Sequence, residues 1–190
     1  MTSCKKDSST TTGNVIPSGC VNTTNWLADG HELVYATYSP YVYADSLYST
    51  FHLVSPGVFS ATSVYDDGSF YPATTAYLKP CGTTIYESAA SSMSNAEIGY
   101  KTDGNIGDRW TEILTSTGGN TGYDTTTIVA KNVSIIVPAG TFSCIQLHSV
   151  VTVNTPYYQT VTTDYYLDPT YGPVEANGTT VDYELARANF

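Results

Sequence analysis

Between Tyr123 and Val153 the chain alternates apolar and polar residues with a period of two, broken once by Val137-Pro138-Ala139-Gly140. That period fits a pleated strand with one covered face, because successive side chains leave a strand on opposite sides. Tyr123, Val129, Val133, Ile135 and Val137 share one parity, and Asp124, Asn132 and Ser134 share the other. A strand is therefore predicted over 123–137 with the first set buried and the second in water. Its partner is predicted over 141–153, with Ile145, Leu147, Val151 and Val153 inward. Pro138 and Gly140 stand where a type I turn favours them, so Val137, Pro138, Ala139, Gly140, Thr141 and Phe142 read as a structural hairpin motif.

The same style fills the rest of the chain. Strands are predicted over 33–38, 47–54, 58–65, 70–78, 157–167 and 179–187, punctuated by Asp29-Gly30, Asp67-Gly68, Asp103-Gly104, Gly118-Gly119 and Asn177-Gly178. Such dipeptides tolerate the positive φ that tight turns require. Residues 87–97, Glu-Ser-Ala-Ala-Ser-Ser-Met-Ser-Asn-Ala-Glu, hold Ala and no β-branched residue, which predicts a short helix or a mobile loop. The fold class is all-β, or β-rich α+β, with an antiparallel sheet and at most one or two short helices. At 190 residues one core suffices, and a single β-rich domain is expected over 20–190.

Seventeen acidic against seven basic groups give a net charge of −10. That surplus repels a phosphate backbone, and with no Lys/Arg cluster nucleic acid is excluded as a partner. No stretch approaches the ~18 apolar residues of a membrane-crossing helix. The N-terminus nevertheless points at a membrane. Thr2-Ser3-Cys4 matches the end of a bacterial lipobox, where small residues precede a cysteine acylated after signal-peptide cleavage. Cys4 is thus the expected lipid-attachment site. Residues 1–19 are read as a lipobox remnant and a Ser/Thr-rich tether; from Cys4 to Cys20 a flexible coil of this kind spans roughly 20 Å. The expected location is exported and lipid-anchored, in the bacterial outer membrane or periplasm, with the cell surface open.

With Cys4 acylated, Cys20, Cys81 and Cys144 remain in a compartment where disulfides persist. Cys20 and Cys81 lie among Gly, Pro and Asn, as loop cysteines do, whereas Cys144 sits in the strand-like Phe142-Ser143-Cys144-Ile145. A Cys20–Cys81 bridge is preferred, with Cys144 a small buried hydrophobe; the other two pairings stay open on these grounds.

The enzymatic motifs are incomplete. His31-Glu32 opens a zinc-protease signature, but Tyr35 stands where the second His belongs, and a strand would not bring an i, i+4 pair together. His52 and His148 fall on separate strands without a third ligand. No Gly-x-Ser-x-Gly elbow or phosphate loop occurs. Asp103, Asn105 and Asp108 resemble a calcium loop less than a plain turn. Glu112 and Glu175 could serve a glycosidase only if folding brought them together. Asn22, Asn132 and Asn177 begin sequons, read here as by-products of Ser/Thr richness. No catalytic residue, metal or cofactor is expected, and the chain is read as a non-enzyme.

Of the seventeen tyrosines, ten crowd into 35–48 and 157–171. Most are expected to be structural, since Tyr suits strands and keeps its hydroxyl wet. Tyr35, Tyr38, Tyr41, Tyr43, Tyr157, Tyr158, Tyr165 and Tyr166 are the candidate binding aromatics for a surface or glycan-recognition module.

Gly107-Asp108-Arg109-Trp110, the run Asn132 to Ile145 with its Val-Pro-Ala-Gly-Thr-Phe turn, Tyr165-Tyr166 and Tyr171-Gly172-Pro173-Val174-Glu175 together resemble a pattern in Gram-negative lipoproteins akin to the LolA/LolB-like group. The resemblance covers roughly residues 105–187. Asp168-Pro169 and Pro173 depart from it. It implies a strongly curved antiparallel sheet, a half-barrel that can hold acyl chains, and hence a lipid-anchored cell-envelope binding domain with a hydrophobic ligand or a lipoprotein segment as partner. An interaction or glycan-binding module and, third, a glycosidase are the alternatives.

Overall fold

The computed structural model describes residues 16–38, 46–66, 72–115, 121–153, 159–179 and 182–190. The described residues form twelve strands and no helix. These are β1 (Glu32–Tyr38), β2 (Ser46–Ser55), β3 (Val58–Tyr65), β4 (Thr74–Cys81), β5 (Thr84–Ser88), β6 (Glu97–Lys101), β7 (Arg109–Thr115), β8 (Thr121–Val137), β9 (Gly140–Val153), β10 (Gln159–Asp168), β11 (Gly172–Gly178) and β12 (Asp182–Asn189). They make one antiparallel sheet in the order β6-β5-β4-β3-β2-β1-β12-β11-β10-β9-β8-β7. Chain neighbours are sheet neighbours except β6 and β7, and the β1–β12 ladder joins the first and last strands. The sheet rolls up until β6 and β7, consecutive in sequence, are its two edges. The curvature expected of a half-barrel goes further here, to a nearly closed barrel.

No backbone ladder joins β6 to β7. Two β7 side chains cross the gap instead: the Trp110 indole donates to the Ile98 carbonyl at 2.9 Å, and Glu112 accepts from the Ile98 N–H at 3.3 Å. An edge strand exposes unpaired backbone groups, and these two side chains occupy both of those on Ile98. The loop after β6 docks on β8, with Gly107 N–H donating to Ile128 C=O and Ile128 N–H to Asp108 C=O.

One face of the sheet forms the barrel interior. Directly paired residues share a face, so the pairs Tyr35↔Leu47, Tyr35↔Leu185, Phe51↔Ala61, Phe59↔Leu78 and Pro80↔Ile85 mark an apolar interior in the first half of the chain. Ile128↔Leu147 and Ile145↔Leu167 mark it in the second. Leu33, Leu27, Ile128, Leu147 and Leu185 are fully buried. The segment before β1 adds Trp26 and Leu27 to this core. It is held by the Cys20–Cys81 disulfide and by Thr23 Oγ1, which donates to Gly82 C=O at 2.8 Å. The preferred cysteine pairing is thus the one present, and Cys144 is free and fully buried.

Two expectations need correction. The predicted β8 face holds only in part: Tyr123 and Val129 are exposed, while Thr126 and Ile128, on the other parity, are buried. The cause is a pair of register shifts, between Ile128 and Ala130 and between Ala130 and Val133, with Asn132 at φ +57°. Each bulge adds a residue to one strand and exchanges its faces. Beyond them Val133, Ile135 and Val137 pair with Cys144, Phe142 and Gly140, on the parity of β9 opposite to Ile145 and Leu147, and the hairpin tip is tied down by Ala139 N–H donating to Leu185 C=O at 3.0 Å. Second, residues 87–97 form no helix. Glu87 and Ser88 complete β5, Glu97 opens β6, and turns lie between with Met93 and Asn95 at φ 55° and 57°. Ser88 Oγ accepts from Ala90 N–H and donates to Ser94 C=O, the side-chain competition for backbone that disfavours helices.

Candidate functional site

The polar half of the barrel interior contains a cavity of about 980 Å³, lined from both sides of the β6/β7 gap. Ile98, Tyr100, Trp110, Leu147 and Tyr165 form its apolar and aromatic wall, and the turns after β5 contribute Ala89, Ala90, Ser94 and Asn95. Four carboxylates line the same space: Glu87, Glu97, Glu112 and Asp124. They are two directly opposed cross-strand pairs, Glu87↔Glu97 on β5/β6 and Glu112↔Asp124 on β7/β8, one on each side of the gap. Like charges in that relation destabilise a sheet. Burial, and then Glu112, Glu87 and Asp124 in turn, raise the Glu97 pKa; burial raises that of Glu87.

Each acid is placed by a local feature. The missing side chain of Gly99 gives Glu87 room: a Cβ there would lie 3.3 Å from Glu87 Oε2. Asp124 accepts from Ser149 Oγ at 2.7 Å. Thr126, paired with Trp110 and Ser149, is 7% exposed and lines the cavity. Its hydroxyl meets no hydrogen-bond partner among the described residues. Tyr35, Tyr100 and Tyr183 lie deep in the barrel, where burial pushes each phenol well above its ordinary range.

The candidate aromatics do not assemble into one platform. Tyr35 is a core residue whose hydroxyl donates to Pro173 C=O at 3.2 Å, Tyr38 is exposed at the end of β1, and Tyr165 lines the cavity. Tyr166 pairs with Gln146 and Glu175 on the opposite face of the sheet. Cys4, Tyr41, Tyr43, Tyr157 and Tyr158 lie outside the described residues. Glu112 and Glu175, the pair a glycosidase would need, stand on opposite faces, because Glu175 shares the face of Tyr166 and Glu112 that of Asp124. The histidines do not converge: His31 Nδ1 lies 3.2 Å from Trp26 C=O, His52 is near Asp29, and His148 is 2.8 Å from Asp164. Among the described residues no three His, Cys, Asp or Glu side chains come close enough to hold a metal ion. Asp108 Oδ2 accepts from Asn105 N–H at 2.7 Å, as in a plain turn.

Sequence reasoning missed the acidic cavity because its residues are dispersed over 37 positions of chain, from Glu87 to Asp124, and lie on four strands. It also missed a row of surface rings. Phe142, Tyr171, Phe190 and His31 lie in successive contacts of 5.3, 5.7 and 5.1 Å between centroids, beside a second hollow of about 380 Å³.

Two solved structures have this architecture. A Bacteroides fragilis protein described as exported and of YmcC-like fold superposes with a TM-score of 0.60 at 16% identity, covering 86% of this chain and 97% of its own. A Parabacteroides distasonis protein described as a lipoprotein gives 0.59 at 11% identity, covering 86% and 96%. The chain shares their fold. At these identities the likeness carries architecture and nothing further. No protein-family model matches the chain, and no curated protein matches its sequence. The LolA/LolB resemblance is not among these likenesses, and the barrel is more nearly closed than the half-barrel it implied.

Proposed function

We propose that this chain is an exported, envelope-associated binding domain that holds an amphiphilic small molecule in its barrel, without a covalent step. The observation that carries this reading is the cavity: about 980 Å³ at the upper end of the size of small-ligand sites, mixed in polarity, and bounded by strands rather than by loops alone. A purely apolar acyl chain, the occupant implied by the sequence resemblance, would desolvate four carboxylates without replacing their water. An amphiphile satisfies both walls. Its hydrocarbon lies against Trp110, Tyr100, Tyr165 and Leu147, gaining about 0.8 kcal/mol per buried methylene, and its polar end meets the acids. Extraction of the purified protein with organic solvent, followed by mass spectrometry, is expected to yield a stoichiometric amphiphile. Hydrolysis of aryl glycosides that disappears in Glu112→Gln would replace this reading with an enzymatic one.

Thr2-Ser3-Cys4 supports attachment to a membrane through Cys4, as do the exported and lipoprotein descriptions of the two structures of like fold. Cys4→Ser in the full-length precursor is expected to move the protein from the membrane to the soluble fraction. Retention in the membrane would remove the anchor from the proposal. A second reading, glycan or protein recognition, is favoured by the exposed rings of Tyr171 and Phe190, backed by the half-buried Phe142, rather than by the tyrosine clusters. A glycan array on which binding is lost in Tyr171→Ala would support it.

A further inference from the structure

We infer that the cavity selects a cationic ligand, an organic amine whose ammonium N–H groups reach among the acids that line it, Glu87, Glu97 and Asp124, and the Thr126 hydroxyl. The inference rests on reading the cavity as a binding site and specifies the chemistry of its occupant. Three independent observations converge on it.

The first is the arrangement of charge. Two like-charged cross-strand pairs flank one gap and face one space. Each pair opposes folding. Neither Glu87, Glu97 nor Asp124 is ion-paired among the described residues, where the three ion pairs all lie elsewhere. Lys101, at the end of β6, stands over the Trp110 ring at 5.3 Å. A positively charged occupant turns that repulsion into attraction.

The second is Thr126, a residue more than nine-tenths buried that lines the cavity and whose side chain has no hydrogen-bond partner among the described residues. No fully buried polar side-chain atom among the described residues lacks a partner, so this hydroxyl opens onto the cavity, where an N–H donor of the occupant can reach it.

The third is the spread of the acids. No three of them converge as metal ligands do. A point cation is therefore poorly served, while an extended molecule with several N–H donors reaches more than one wall. The rings of Tyr100, Trp110 and Tyr165 lie in the same space and suit an ammonium and its adjoining methylenes.

Three probes of one chain length separate head group from tail: n-octylamine, 1-octanol and n-octanoate, titrated calorimetrically into the intact protein at pH 7.5. Octylamine is expected to bind at least tenfold more tightly than octanol, and octanoate not at all. Glu87→Gln and Asp124→Asn should each weaken octylamine fivefold or more and leave octanol unchanged. Asp66→Asn, exposed just past β3 and outside the cavity lining, controls for net charge and should change neither. Equal binding of octylamine and octanol, or equal loss in Asp66→Asn, overturns the amine inference and leaves the cavity as a binding site. Failure of all three probes overturns the cavity reading as well.

Discussion

Single residues fix how the barrel is plugged. Gly172 has φ +82°, and a Cβ built on it would lie 2.6 Å from the Trp26 ring. Both the backbone angle and the approach of the indole demand glycine there. Gly172→Ala is expected to destabilise the protein by about 2 kcal/mol or more, since overpacking and positive φ act together. Denaturant unfolding measures it, and a loss below ~0.5 kcal/mol would mean that Trp26 yields freely. Cys144 offers a second test at this scale. Burial first, then the nearby charges of Asp168 and Glu175, push its thiol up to about 12. In a Cys4→Ser background the native protein should present no thiol to Ellman's reagent at pH 8 and one after denaturation. Reaction in the native state would place Cys144 near the surface.

Among the elements, β6 is the one held least by backbone. Its inner neighbour β5 pairs with it, but toward β7 it relies on Trp110 and Glu112. Trp110→Phe keeps a ring and removes the indole N–H, at a cost of about 1 kcal/mol for the hydrogen bond. Amide exchange along β6 should accelerate, while the β8–β9 hairpin remains protected; unchanged exchange in β6 would show that the gap is closed by other means. The elements also show what the sequence carried. Hairpin β8–β9 was legible because its alternation is long and its turn residues are specific, and the disulfide because two cysteines lay in loop-like surroundings and one in a strand. The bulges at Ala130 and Asn132 left no local signal, since bulge position depends on the neighbouring strand. Residues 87–97 misled because alanine content speaks for a helix only where serines do not capture the backbone. The carboxylates around the cavity were visible singly, as Glu112 was, but their meeting depends on the closure of β6 toward β7, which is a property of the whole sheet.

In the molecule as a whole, one part of the interior is packed with Trp26, Leu27, Phe51, Ile85 and Leu185, and another is left open and acidic. That division sets the direction of its pH dependence. The carboxyls of Glu87 and Glu97 are raised in the folded state, so the folded protein holds protons that the unfolded chain has already released. By linkage, stability is greatest below their ordinary pKa and falls as pH rises through the raised values, opposite to an acid held in a salt bridge. The unliganded protein should therefore melt higher at pH 5 than at pH 7.5. The net charge of −10 acts in the same direction, so the cavity's share must be isolated. Glu87→Gln does this, because the amide mimics the protonated acid. It should stabilise the unliganded protein at pH 7.5 by about 0.5–1 kcal/mol and flatten the pH profile, whereas Asp66→Asn, exposed and outside the cavity, should leave the slope nearly unchanged. A destabilised Glu87→Gln protein, or an undiminished slope, would mean that these acids are satisfied in the empty barrel. The gain in stability and the loss of amine affinity predicted for the same substitution are two results of one cause: charge that the empty fold tolerates and a cationic occupant neutralises.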